Sequence, residues 1–224
     1  MNTQMKLQDA SKILLAQTAL LFEGIHLDYT DTLRLLNGVD VHAFGLDEVD
    51  TIILRNVVNA LHFLENTDFN KTNIDLDLYI TLNSILAEEQ ALFVGKLRDI
   101  PTSIGCIEEE IGVYDKKDIM HEIERLNFID AGNVKNVVPK VFCRLARMQP
   151  FFDGNKRSTN FLCNAALNKK NLGIFFVNDE NVQDFNLHLK DYYQGKNEKI
   201  FQFIGDKLMK SAHDIDKIYI RFYA

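Results

Sequence analysis

The segment Gln149-Pro150-Phe151-Phe152-Asp153-Gly154-Asn155-Lys156-Arg157 concentrates residue types that hold phosphate. A Gly-Asn-Lys-Arg turn opening a helix converges successive backbone N–H groups, and the helix dipole adds partial positive charge at the same end. Arg157 supplies a fork of donors matched to phosphate oxygens. Asp153, just before the turn, could hold a Mg²⁺ that bridges phosphates. The GxxxxGK[ST] spacing of a Walker loop is absent. The plainer alternative is an ordinary helix start, with Asp153 and Asn155 as caps and Arg157 in solvent.

Other chemistry-bearing residues offer less. Six histidines (His26, His42, His62, His121, His188 and His213) show no HxxxH or HExxH spacing, which argues against zinc. His121-Glu122 reads as helix surface, and Glu108-Glu109-Glu110 as a solvated turn. Phe151-Phe152 reads as a core anchor. Cys106, Cys143 and Cys163 are sparse and unpatterned, as in a reducing compartment.

The elements that must position the segment are mostly helices, since the chain has only three prolines. Apolar periodicity predicts helices over 11–23, 46–65, 75–90, 131–148, 158–171, 184–193 and 197–211. The helices at 131–148 and 158–171 flank the loop at Phe151–Arg157. The stretch 95–113 breaks the pattern: Gly95, Pro101, Gly105 and Gly112 separate β-tolerant residues, which predicts a short hairpin or flap. The class is mainly α with one small β element, without internal repeats or a linker.

At 224 residues, 46% hydrophobic and 25% charged, the chain reads as one large globular domain or one domain with a helical arm. A net charge of −7 and a pI near 5.4 argue against a general nucleic-acid binder. The first ten residues carry no apolar signal region, and no apolar run spans a bilayer. A soluble, cytoplasmic protein is the expectation.

The 149–157 segment resembles the signature loop of the Fic (Fido) family, H-x-F-x-(D/E)-G-N-(G/K)-R-x-x-R, through Phe151, Asp153, Gly154, Asn155, Lys156 and Arg157, with Pro150 matching the common HPF form. Upstream, Gly95-Lys96-Leu97-Arg98 resembles the family's GKLR-like segment. Phe22-Glu23-Gly24-Ile25 resembles the inhibitory motif (S/T)-x-x-x-E-(G/N). The resemblance runs from Ala10 to about Met209. It implies a Fic-type helical bundle with a β-hairpin flap, divided into an N-terminal helical region (1–73, with an inhibitory-type helix at 11–23), a Fic domain (74–206) and a C-terminal extension (207–224). It also implies transfer of AMP from ATP to a hydroxyl of an unknown target protein. Position 149 would act as base, Asp153 would hold Mg²⁺, and Gly154, Asn155, Lys156, Arg157 and position 160 would bind nucleotide. Thr102, Ser103, Ile104 and Gly105 would clamp the target by strand-like pairing. The implied partners are a nucleotide and a target protein, with self-association left open and no nucleic acid or membrane.

Four positions depart from or vary within that pattern. Gln149 stands where the family has its catalytic His, and a carboxamide cannot accept a proton near neutral pH. Asn160 replaces the second Arg, which deprives Glu23 of its expected partner and leaves Lys156 and Arg157 as the motif's cations. Ala19 sits where the inhibitory motif has Ser or Thr, with Thr18 one position off. Lys156 stands where Doc toxins also have Lys, and in that subfamily the Lys goes with phosphorylation of the target rather than AMP transfer. The alternatives to AMP transfer are therefore a non-catalytic nucleotide- or partner-binding module and a Doc-like phosphotransferase.

Overall fold

Aspartates open four of the helices. Asp28, Asp47, Asp75 and Asp115 each accept a hydrogen bond from a backbone N–H of the first turn that follows. Such a cap contributes about 1 kcal/mol and fixes where the helix begins. The computed structural model describes residues 9–211 and 214–215. The first eight residues of the expected N-terminal region lie outside them, as does most of the expected extension beyond 211. The described helices are α1 (Asp9–Leu21), α2 (Tyr29–Leu36), α3 (Glu48–Asn66), α4 (Leu76–Leu86), α5 (Lys116–Glu124), α6 (Val134–Met148), α7 (Asn155–Lys169), α8 (Val182–Tyr193) and α9 (Lys199–Phe203).

The mainly α class follows the periodicity. α7 is the central helix: every residue from Asn155 to Leu167 except Lys156 is buried. Helices α4 and α6 pack on it, α3 packs on α4, and α1 reaches both α3 and α7. One apolar cluster joins these helices to α8 and α9. No helix among the described residues is long and apolar enough to cross a membrane.

Local results differ from the sequence reading, which expected neither α2 nor α5. α7 starts at Asn155 rather than Ser158, so Lys156 and Arg157 belong to its first turn. The last expected helix gives way to a π-helical turn, Ile204–Leu208, and then to a strand. Pro139 inside α6 has no N–H to offer the carbonyl of Lys135. Gly205 of the π turn packs there so closely that a Cβ would come within 2.5 Å of that oxygen. The two-stranded antiparallel sheet pairs β1 (Ile174–Phe175) with β2 (Met209–Lys210). The flap turns back through one bridge, Thr102 to Ile111.

Glu122 corrects the surface reading of His121-Glu122: it is 7% exposed and pairs with Arg125 at 2.7 Å and Arg144 at 2.8 Å. Arg144 lies 22 positions away on another helix, beyond the reach of local periodicity.

Candidate functional site

Gln149 terminates α6 in a left-handed conformation, φ 47° and ψ 60°, and so turns the chain sharply toward α7. Its side-chain amide is spoken for at both ends. Nε2 donates to the carbonyl of Ala146 at 2.6 Å, and Oε1 accepts from Asn155 Nδ2 at 3.0 Å. Asn155 also holds both backbone groups of Phe151, each at 2.9 Å. Phe151 is buried against the edge of Tyr79, as a core anchor should be.

Gly154 follows in a left-handed conformation, φ 71°, which a residue with a Cβ rarely adopts. A Cβ there would also stand 3.2 Å from Ala87 Cβ and Asn83 Nδ2. Asn83 locks the turn by donating to the carbonyl of Asp153 at 2.8 Å and accepting from the N–H of Gly95 at 3.0 Å. No side chain caps α7. Neither Asp153 nor Asn155 plays the capping part of an ordinary helix start, so the first-turn N–H groups keep the character of an anion site.

Arg157 is not in solvent. Its side chain is fully buried, donating to the carbonyl of Leu86 at 2.7 Å and to Gln90 Oε1 at 2.8 Å. Its Nε lies 2.8 Å from Glu23 Oε1, an ion pair in which the N–H is not aligned on the oxygen. Asp153 Oδ1 stands 3.7 Å away from Nη2 and accepts from the N–H of Gly154 at 2.5 Å. Glu23 therefore faces the signature loop, on the first Arg of the motif. Lys156 also reaches the end of α1, donating to the carbonyl of Phe22 at 2.8 Å and lying over the Phe22 ring. Burial pulls the Lys156 pKa down, partly offset by the Glu23 charge.

Asn160 sits one turn deeper, fully buried, with Nδ2 donating to the carbonyl of Phe175 at 3.3 Å. It faces β1 rather than the loop. Thr18 is equally buried, accepting from the N–H of Val177 at 2.8 Å. The small Ala19 beside it is packed without exposure.

Arg98 joins flap and loop. Its guanidinium donates to the carbonyls of Ile100 and Gly112 at 2.6 Å, of Met148 at 3.0 Å, and of Gln149. Its backbone N–H donates to the carbonyl of Pro150 at 2.9 Å. Thr102 is half-buried in its bridge with Ile111, whereas Ser103 and Gly105 are exposed.

A cavity of about 370 Å³ lies between these parts. Ser103, Ile104 and Cys106 of the flap segment line it, with Gln149, Lys156, and Asn186, Leu189, Lys190 and Tyr193 of α8. The structure thus brings Ser103, Ile104, Gln149 and Lys156 together, whereas Arg157 and Asn160 lie behind them. Tyr193 is 5% exposed and its hydroxyl has no hydrogen-bond partner among the described residues. The contribution of α8 escaped the sequence reading, because periodicity predicts the helix but not which helix end meets the flap.

No protein-family model matches the sequence, and no curated protein matches it. Solved structures do match. Two structures of Fic-1 from C. elegans superpose with TM-scores of 0.67 and 0.66 at 15% identity, over 94% and 99% of this chain. A Fic-domain-containing signaling protein from Bacteroides thetaiotaomicron superposes at 0.61 with 16% identity, over 94% of this chain. This chain has a Fic-type fold. It spans 63% and 67% of the two Fic-1 chains and 81% of the bacterial one. In the Fic fold seen here, the signature loop joins α6 to α7 and the flap crosses beside it.

Proposed function

We propose that this chain is a Fic-type nucleotide-binding protein whose transfer of AMP from ATP to a protein hydroxyl is severely impaired. The observation that carries this reading is the state of Gln149: its amide is tied to Ala146 and Asn155, while Lys156 and the uncapped start of α7 stand beside the cavity that it lines. A general base contributes about 10²–10⁴ in rate, and a carboxamide held in this way supplies none of it.

The chain's own residues divide the remaining work. The uncapped first turn of α7 and Lys156 would meet phosphate, with Arg157 joining once Glu23 lets go. The Asn186 amide at the cavity wall would offer hydrogen bonds to a nucleoside. The exposed flap backbone at Ser103 and Gly105 would pair with an extended target segment. Asp153, with a side chain 46% exposed, fits a magnesium ion. It is one carboxylate with no further acidic cluster among the described residues, and Mg²⁺ bound through nucleotide phosphates needs little more. Such an ion would neutralise phosphate charge. Glu23 would act as an inhibitory group, competing with phosphate for Arg157.

ATP labelled separately at the α- and γ-phosphates tests the reading, comparing the chain with Gln149→His. Label from the α-phosphate on protein, rising in the variant, is the expected result. Label from the γ-phosphate would instead favour the Doc-like reading that Lys156 keeps open. ATP binding with no transfer in either protein would favour a non-catalytic module.

A further inference from the structure

We propose that Gln90 is a positioning residue for the phosphate site, holding the Arg157 guanidinium in place without neutralising its charge. This rests on the proposed function, which gives Arg157 to phosphate. Two uncharged oxygens hold the buried guanidinium: the Leu86 carbonyl accepts from Nη1 at 2.7 Å, and Gln90 Oε1 accepts from Nη2 at 2.8 Å. The Gln90 amide is oriented in turn, because its Nε2 donates to the same Leu86 carbonyl at 3.3 Å. Leu86 closes α4, and the last carbonyls of a helix carry partial negative charge that favours a cation.

The turn that carries Gln90 is itself tied down. Asn56 of α3 is fully buried and donates Nδ2 to the carbonyl of Glu88 at 2.7 Å. Arg55, beside it, pairs with Glu89 at 3.1 Å. The N–H of Gln90 closes the turn on the carbonyl of Ala87 at 3.0 Å. Ala87 is fully buried against the signature loop, where its Cβ would stand 3.2 Å from a Cβ at Gly154. A helix remote in sequence thus fixes the side chain that holds the first arginine of the motif.

An amide suits a phosphate site where a carboxylate would not. Arg157 already meets one close carboxylate, Glu23 at 2.8 Å, with Asp153 further off at 3.7 Å. Glutamate at position 90 would keep the shape and the acceptor oxygen but add a second close negative charge to one guanidinium. That charge stabilises the arginine where it is and opposes an incoming phosphate. The carboxamide orients the arginine and leaves its charge to be met by Glu23 or by phosphate oxygens.

The test measures urea midpoints and Mg²⁺-ATP affinity of the full chain at neutral pH. Gln90→Glu should keep or raise the midpoint while weakening ATP binding severalfold, whereas Gln90→Ala should lower both. Adding Glu23→Gly to Gln90→Glu leaves the arginine one close carboxylate again, so ATP affinity should return toward that of the unaltered chain. Three results would overturn the proposal: unchanged ATP affinity in Gln90→Glu, no recovery in the double variant, or a Gln90→Glu chain as unstable as Gln90→Ala. If the unaltered chain binds no ATP, the proposed function fails, and the side-chain Nε–H NMR resonance of Arg157 decides the role of Gln90. Movement of that resonance in both single variants supports a guanidinium held by Gln90, and an unmoved resonance overturns it.

Discussion

Glu23 Oε1 lies 2.8 Å from Nε of Arg157, so the carboxylate that follows α1 and the first arginine of α7 meet across 134 positions of sequence. Glu23 keeps 27% of its side chain exposed while Arg157 keeps none. Replacing Glu23 by Gly therefore frees the arginine at modest structural cost, because Leu86 and Gln90 still hold it. ATP binding should tighten by about 1 kcal/mol, the worth of a partly exposed pair. Calorimetry with Mg²⁺ and ATP measures it, and equal affinities would make Glu23 a mere helix-end carboxylate.

Arg157→Ala should lower stability by about 3–5 kcal/mol, because it removes a buried cation from three oxygens at once. Urea denaturation checks this. A loss below about 1 kcal/mol would mean that the guanidinium is not held as described.

Tyr193→Phe should separate stability from binding. The hydroxyl has no partner among the described residues, so removing it should leave the fold unchanged or firmer by about 1 kcal/mol. Nucleotide affinity should stay unchanged, because the hydroxyl is buried away from the cavity surface. Thermal melting and calorimetry on the same variant provide both readouts.

Lys156 gives a pH signature. Burial lowers its pKa, so below 10.5 the folded chain binds fewer protons at this site than the unfolded chain. Its contribution to stability should therefore improve as pH rises from the lowered folded value toward 10.5. Urea midpoints across that window, compared with Lys156→Met, should show the gap between the two proteins changing with pH. A constant gap would contradict the burial account.

Much of this was legible in the chain because it is local. Helix periodicity placed most of the helices, and the run from Phe151 to Arg157 marked the loop between α6 and α7. The start of α7 was misjudged by three residues because the turn itself is already helical from Asn155. Long-range partners were out of reach. Nothing near Arg157 in sequence indicates Leu86 or Gln90, and nothing near Glu122 indicates Arg144. The cavity wall supplied by α8 is of the same kind. So is the β1–β2 pairing, for two residues on each side carry too little periodicity to read.

The reach of Arg98 sets the rules for grafting. One guanidinium is stapled to carbonyls on both roots of the flap, at Ile100 and Gly112, and to the end of α6 at Met148 and Gln149. The flap is therefore a detachable cartridge only between 101 and 111. An exchange of that stretch with another sequence should leave the signature loop in place. A cut made a few residues wider takes the staple with it, and Gln149 loses its anchor along with the flap.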